Sequence, residues 1–193
     1  MQRSPRMIMI FAGAIAVSTA SWVQQGWAEQ SKQQPKQKTA AAAAPAQPTL
    51  LGQYGDWGAY TAAPDGKKVC FTLAKPKSSS TTPAGRNRDP AYVFISTRPA
   101  ENVRNEISAI VGYPLRQASD ATAEVGTTKF AMYTQNDGAW IKNVAEEERL
   151  VDAMRKGAEL TIKGTSTRGT HSTDVYSLMG LTQAMDRAVE ECK

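Results

Sequence analysis

The residue types with most chemical potential stand together in Arg168-Gly169-Thr170-His171-Ser172-Thr173-Asp174. His171 is the only histidine of the chain, and with Ser172 and Asp174 it supplies the parts of a hydrolytic triad. Triad members meet across a fold, however, and neighbours in one polar loop do not assemble one. His171 therefore reads as an exposed loop histidine. One histidine and two cysteines, Cys70 and Cys192, leave no transition-metal cluster. No Asp/Asn run has the spacing of a calcium loop. No glycine-rich strand-turn-helix unit is present to cradle phosphates. Glu146-Glu147-Glu148 suits a helix N-terminus better than an acid/base pair, and Asp56 beside Trp57 suits a turn or strand end as easily as a site. Arg86-Asn87-Arg88 is answered at once by Asp89 and reads as a solvated loop rather than a phosphate site. The expectation is of no catalytic residue, no cofactor and no metal.

The two cysteines take their meaning from the N-terminus. Arg3 and Arg6 precede the uncharged apolar run 7–17, and small residues lead to a cleavage-like site at Gly26-Trp27-Ala28, with Ser18-Thr19-Ala20 as the second choice. The run is well short of the roughly 20 residues that a spanning helix needs. Residues 1–28 are thus expected to be a signal peptide of the Sec type, with no lipidated Cys and no twin arginine. An exported chain matures under oxidising conditions, where Cys70 and Cys192 are expected to form one structural disulfide; two free thiols are the alternative. The formal charge of +5 is concentrated at this end. Arg3 and Arg6 supply two charges, and Lys32, Lys36 and Lys38 against Glu29 supply a net two, which leaves +1 for residues 50–193. That is too little for a nucleic-acid footprint.

Residues 29–49 are Gln, Lys, Ala and Pro with almost nothing to bury, the composition of a disordered tether. Residues 50–193 have the size of one domain. Within it, 54–62 is aromatic-rich and strand-like, ending at Pro64-Asp65-Gly66. In 69–73, Val69, Phe71 and Leu73 alternate with Cys70 and Thr72. The stretch 75–90 reads as a long mobile loop, and 92–97, apolar on both faces, as a central strand. Ile107, Ala109 and Val111 share one face of a further strand. Asn136-Asp137-Gly138 predicts a hairpin, with Gly138 free to take a positive φ. Leu160, Ile162 and the run 175–178 supply two more strands.

Two helices punctuate this pattern. Asn143 and Glu146 predict the capped start of a mid-chain helix, with Arg155 and Lys156 in its last turn and Gly157 beyond. Leu181, Ala184, Met185, Ala188 and Val189 form one apolar stripe after Gly180, and Cys192 continues it. The fold class expected is mainly β, a β-sandwich with two short helices, one mid-chain and one C-terminal. Trp57 and Trp140 are expected at the core or its edge.

Several blocks together carry a resemblance. They are Tyr54-Gly55-Asp56-Trp57, Val69-Cys70-Phe71 and the run 92–99 continuing through Asn102-Val103-Arg104-Asn105-Glu106 to Gly112-Tyr113-Pro114-Leu115. Near the end stand Lys163-Gly164-Thr165-Ser166, Arg168-Gly169-Thr170, the run 173–178 and Gly180-Leu181. The chain resembles the invasion-associated locus B family of exported proteins from Gram-negative bacteria over essentially all of residues 50–192. The resemblance implies an immunoglobulin-like β-sandwich in the periplasm or at the outer membrane and cell surface, with no established enzymatic activity or cofactor. Where some members carry an extra Cys after Asp-Trp, this chain has Gly58-Ala59-Tyr60-Thr61.

The function expected is that of an exported, non-enzymatic interaction module, with an envelope or host protein as partner and a role in host-cell invasion or association. Peripheral contact with a membrane is compatible with it, and nucleic acid is not. The alternative is a periplasmic sandwich that binds a small ligand or polysaccharide by stacking on Tyr54, Tyr60, Tyr113 and Tyr133.

Overall fold

The structure, a computed structural model, describes residues 47–119 and 121–193. The expected signal peptide and nearly all of the expected tether lie outside the described residues. The chain forms β1 (Thr49–Tyr54), β2 (Trp57–Ala62), β3 (Val69–Ala74), β4 (Ser78–Thr82), β5 (Tyr92–Arg98) and β6 (Val103–Ile110). It continues through β7 (Ala121–Val125), β8 (Thr128–Gln135), β9 (Gly138–Ile141), α1 (Val144–Lys156), β10 (Glu159–Thr165), β11 (His171–Ser177) and α2 (Leu181–Glu191). Among the described residues the strands make one antiparallel sheet of eleven, in the order β1-β2-β3-β5-β6-β9-β8-β7-β10-β11-β4.

The sheet curls so that strands far apart in this order meet. The Trp57 indole Nε1 on β2 donates to the Ser177 carbonyl on β11 at 2.8 Å, inside a single hydrophobic core. The chain is therefore mainly β with two helices, and its curled sheet encloses the core as the two layers of a sandwich would. The ladder is continuous, whereas an immunoglobulin sandwich divides its strands between two sheets.

Alternation decides which side chains enter that core. On β3 the buried face is Cys70, Thr72 and Ala74, and the larger Val69, Phe71 and Leu73 point outward, half-buried. Phe71 is not wasted there. It stacks on Tyr60 of β2 at 5.3 Å and tilts against Phe94 of β5, which meets Tyr92. Further along the sheet, Trp140 stacks on Tyr133 at 5.6 Å. Trp57 is wholly buried and Trp140 half-buried. On β6 the predicted face of Ile107 and Ala109 is fully buried, with Val111 just beyond it.

Three local expectations change. The stretch expected as one mobile loop contains β4, Ser78-Ser79-Ser80-Thr81-Thr82, which pairs with β11 from Ser78↔Val175 to Thr82↔His171. Its small hydroxyl side chains suit an exposed outer strand and gave no apolar alternation to read. At the β8–β9 hairpin it is Asn136 that takes the positive φ, 54°. Gly138 serves a different need, since a Cβ there would lie 2.2 Å from the Trp140 ring. A strand not anticipated, β7, joins β8 to β10.

The helices close the structure. The Asn143 side chain caps α1 by accepting from the Glu146 amide at 2.8 Å. Strand β9 pairs with β6 only at Ser108, Ala109 and Ile110. Beyond that point the Glu147 carboxylate of α1 accepts from the Ile107 amide at 2.6 Å, so the helix completes the strand edge. Burial pushes the Glu147 carboxyl above its ordinary value, against the pull of that amide. Helix α2 buries Leu181, Ala184, Met185 and Ala188 on the β1-β2-β3 end of the sheet. Burying a side chain such as Leu181 or Met185 contributes about 1.5–3 kcal/mol. Val189, expected on the same stripe, is 38% exposed. Cys192, just past the helix, is disulfide-bonded to Cys70 of β3, so the oxidised alternative is the one that forms.

Candidate functional site

On β11, alternation separates the residues that looked like a triad. Ser172, Asp174 and Tyr176 point into the core, while His171 is exposed on the other face. The His171 Nδ1 lies 3.0 Å from Thr165 Oγ1, and the Ser172 hydroxyl lies 2.5 Å from the Tyr113 hydroxyl. Ser172 and His171 therefore do not share a proton. No group of three metal-ligating side chains gathers among the described residues.

What the inward face of β11 does hold is an ion pair. Asp174 has no solvent exposure, and both its oxygens accept from the Arg88 guanidinium, one at 2.8 Å. Arg88 also donates to the Val111 carbonyl at 2.9 Å and lies 5.9 Å from the Tyr113 ring centre. The Asp174 bonds raise the guanidinium pKa further and burial opposes them. Arg88 is thus not the solvated loop residue that Asp89 would neutralise; its side chain is 11% exposed and its partner is 86 residues away. A forked guanidinium fits a carboxylate in two parallel bonds, which is how such a pair survives burial. Beside it, the Tyr176 hydroxyl is buried with no hydrogen-bond partner among the described residues, and burial holds it neutral by raising its pKa. Burial likewise raises the Tyr113 phenol, partly offset by the Ser172 hydrogen bond.

Above this pair lies a cleft of about 620 Å³. Three connections build it: the loop between β4 and β5, the segment after β6, and the turn between β10 and β11. They are tied together by backbone bonds from Asp89 N to Gly112 O at 3.0 Å and from Thr167 N to Pro114 O at 3.0 Å. Gly112 is required where the first two meet. Its φ is +74°, and a Cβ would lie 2.0 Å from the Asp89 carbonyl oxygen. Arg86 and Arg168 stand exposed on the rim, with Asn87, Thr167, Thr170 and Tyr113 around them.

The four tyrosines considered for stacking do not converge. Tyr54 packs on the core, Tyr60 stacks on Phe71, Tyr133 stacks on Trp140, and Tyr113 alone lines the cleft. The cleft itself was hidden from the sequence, because its walls come from segments up to about 90 residues apart. The one local signal was Arg86-Asn87-Arg88.

A family model described as invasion associated locus B (IalB) protein matches residues 57–189. No curated protein and no solved structure matches the chain.

Proposed function

Because the chain belongs to the invasion-associated locus B family, we propose that it is an exported, non-enzymatic protein of the cell envelope that acts by binding a partner. The Cys70–Cys192 disulfide carries this reading. A bridge between β3 and the last residues of the chain persists where thiols are kept oxidised, and the apolar N-terminal run after Arg3 and Arg6 supplies the matching export signal. The separation of His171 from Ser172 and Asp174 supports a non-catalytic role. The partner is an envelope or host protein, and host-cell association is the physiological role that the family suggests.

The experiment is cell fractionation with protease treatment of intact cells and thiol alkylation without reductant. The oxidised protein is expected in the periplasm, or at the surface and cleavable from outside. A cytosolic protein that takes up two alkylating groups would overturn the reading. The alternative of a small-ligand or polysaccharide-binding sandwich is favoured by one observation, the position of Tyr113 on the arginine-rimmed cleft.

A further inference from the structure

We propose that the cleft between the β4–β5 loop, the segment after β6 and the β10–β11 turn binds an acidic saccharide, with Arg86 and Arg168 engaging its anionic group. The proposal rests on the ligand-binding alternative above and names the class of ligand.

The electrostatics come first. Asp174 lies beneath the cleft and already neutralises Arg88. The cleft lining then retains Arg86 and Arg168 against a single carboxylate, Asp89. Among the described residues neither arginine forms an ion pair, a state that Arg104 and Arg116 share away from the cleft lining, whereas Arg98, Arg149, Arg155 and Arg187 each meet a carboxylate within 4 Å. Two guanidinium groups on one rim are matched by the paired oxygens of a carboxylate, phosphate or sulfate.

The rest of the lining decides what carries that anion. Thr167, Thr170 and Asn87 offer short hydroxyl and amide groups that match ring hydroxyls. Tyr113 and Pro114 give the cleft an apolar part of its lining, which a pyranose ring can meet. A cleft of about 620 Å³ suits a ligand of one or two sugar units. The walls are preorganised: Arg88 is locked by Asp174 and Val111, and Tyr113 by Ser172. The ordering that opposes binding falls mainly on the exposed Arg86 and Arg168 side chains.

The test is calorimetric titration of the full chain with digalacturonate, its neutral methyl ester, glucose 6-phosphate and triglutamate. Binding of digalacturonate or of glucose 6-phosphate is expected, weakening with added salt, and whichever of the two binds identifies the carboxylate or the phosphate as the anion. The methyl ester and triglutamate are expected to bind at least about tenfold more weakly, since each lacks one half of the recognition. Arg86→Gln and Arg168→Gln should each cost about tenfold in affinity and together about a hundredfold, with unchanged melting temperatures because both side chains are exposed. Lys156→Gln, outside the cleft, should change nothing. Equal binding of the methyl ester overturns the acidic class while leaving a ligand site. Tighter binding of triglutamate overturns the saccharide. No binding of any probe at millimolar concentration, or binding untouched in the double variant, overturns the site altogether.

Discussion

Replacing Arg88 with Met would leave the Asp174 carboxylate in a place that water does not reach. Asp174 has no exposed surface, and Arg88 supplies both of its ionic contacts. Removing one partner of a buried pair costs about 3–5 kcal/mol, most of it the penalty of the stranded charge. Asp174→Asn keeps the shape and loses the charge assistance of the hydrogen bonds, about 1.5–3 kcal/mol. In that variant Arg88 keeps the Val111 carbonyl and borders the cleft, so its charge can still be hydrated. The double variant strands no ion and leaves one buried amide, a loss of about 1–3 kcal/mol. The two substitutions must therefore be strongly non-additive, with a coupling of about 2 kcal/mol or more. Urea unfolding at neutral pH with the disulfide intact measures all four proteins, and equal slopes show that the unfolded states are comparable. An Arg88→Met loss under about 1 kcal/mol, or additivity within about 0.5 kcal/mol, would refute the buried-pair argument.

Cys192→Ser should lower stability by about 5 kcal/mol, the loop-closure entropy for a bridge spanning 122 residues; a urea midpoint close to that of the parent would contradict this. Gly180→Ala places a methyl group 1.8 Å from the Tyr54 carbonyl oxygen at a φ of +90°. It should cost at least about 2 kcal/mol by thermal melting, and an unchanged melting temperature would exclude the tight junction there. The Glu124 carboxyl is held below the ordinary range first by its hydrogen bond to Lys163 at 2.8 Å, with Lys129 adding to it. A depressed folded pKa gives stability that is present above the unfolded value and lost as pH falls through the folded one. Glu124→Gln should therefore be less stable than the parent at neutral pH, with the gap closing at acid pH and in high salt. A gap that widens on acidification has the wrong sign.

Much of this architecture could be read from local pattern. The alternation on β6, the cap at Asn143, the α2 stripe from Leu181 to Ala188 and the Asn136-Asp137-Gly138 turn all rest on neighbours within a few residues. The disulfide was legible because the expected export signal favours an oxidised pair and the sequence after it holds two cysteines. What stayed hidden depends on distance or on an absent signal. β4 is a strand made almost wholly of hydroxyl side chains, held by pairing with β11. The Arg88–Asp174 pair joins residues whose sequence neighbours suggested a different partner, Asp89. The inward face of β3 is its less apolar one, because Phe71 finds aromatic neighbours on the outside. At the site, residue types were visible and their convergence was not.

The bond between Cys70 and Cys192 also has a mechanical meaning. It closes the chain into a covalent ring that runs through β4 to β11 and both helices, and it leaves β1 and β2 outside. A pull delivered from upstream of Thr49 enters at the outermost strand of the sheet, which among the described residues pairs only with β2. Such a load meets the bridge at Cys70 only after β1 and β2 have given way, and β2 is held by the buried Trp57 and its bond to the Ser177 carbonyl. Where the opposing pull is on the C-terminus, it passes from there to Cys192 through a covalent bond, and the strands between the two cysteines are bypassed. A load between the two chain ends is thus shunted past the strands that carry the arginine-rimmed cleft.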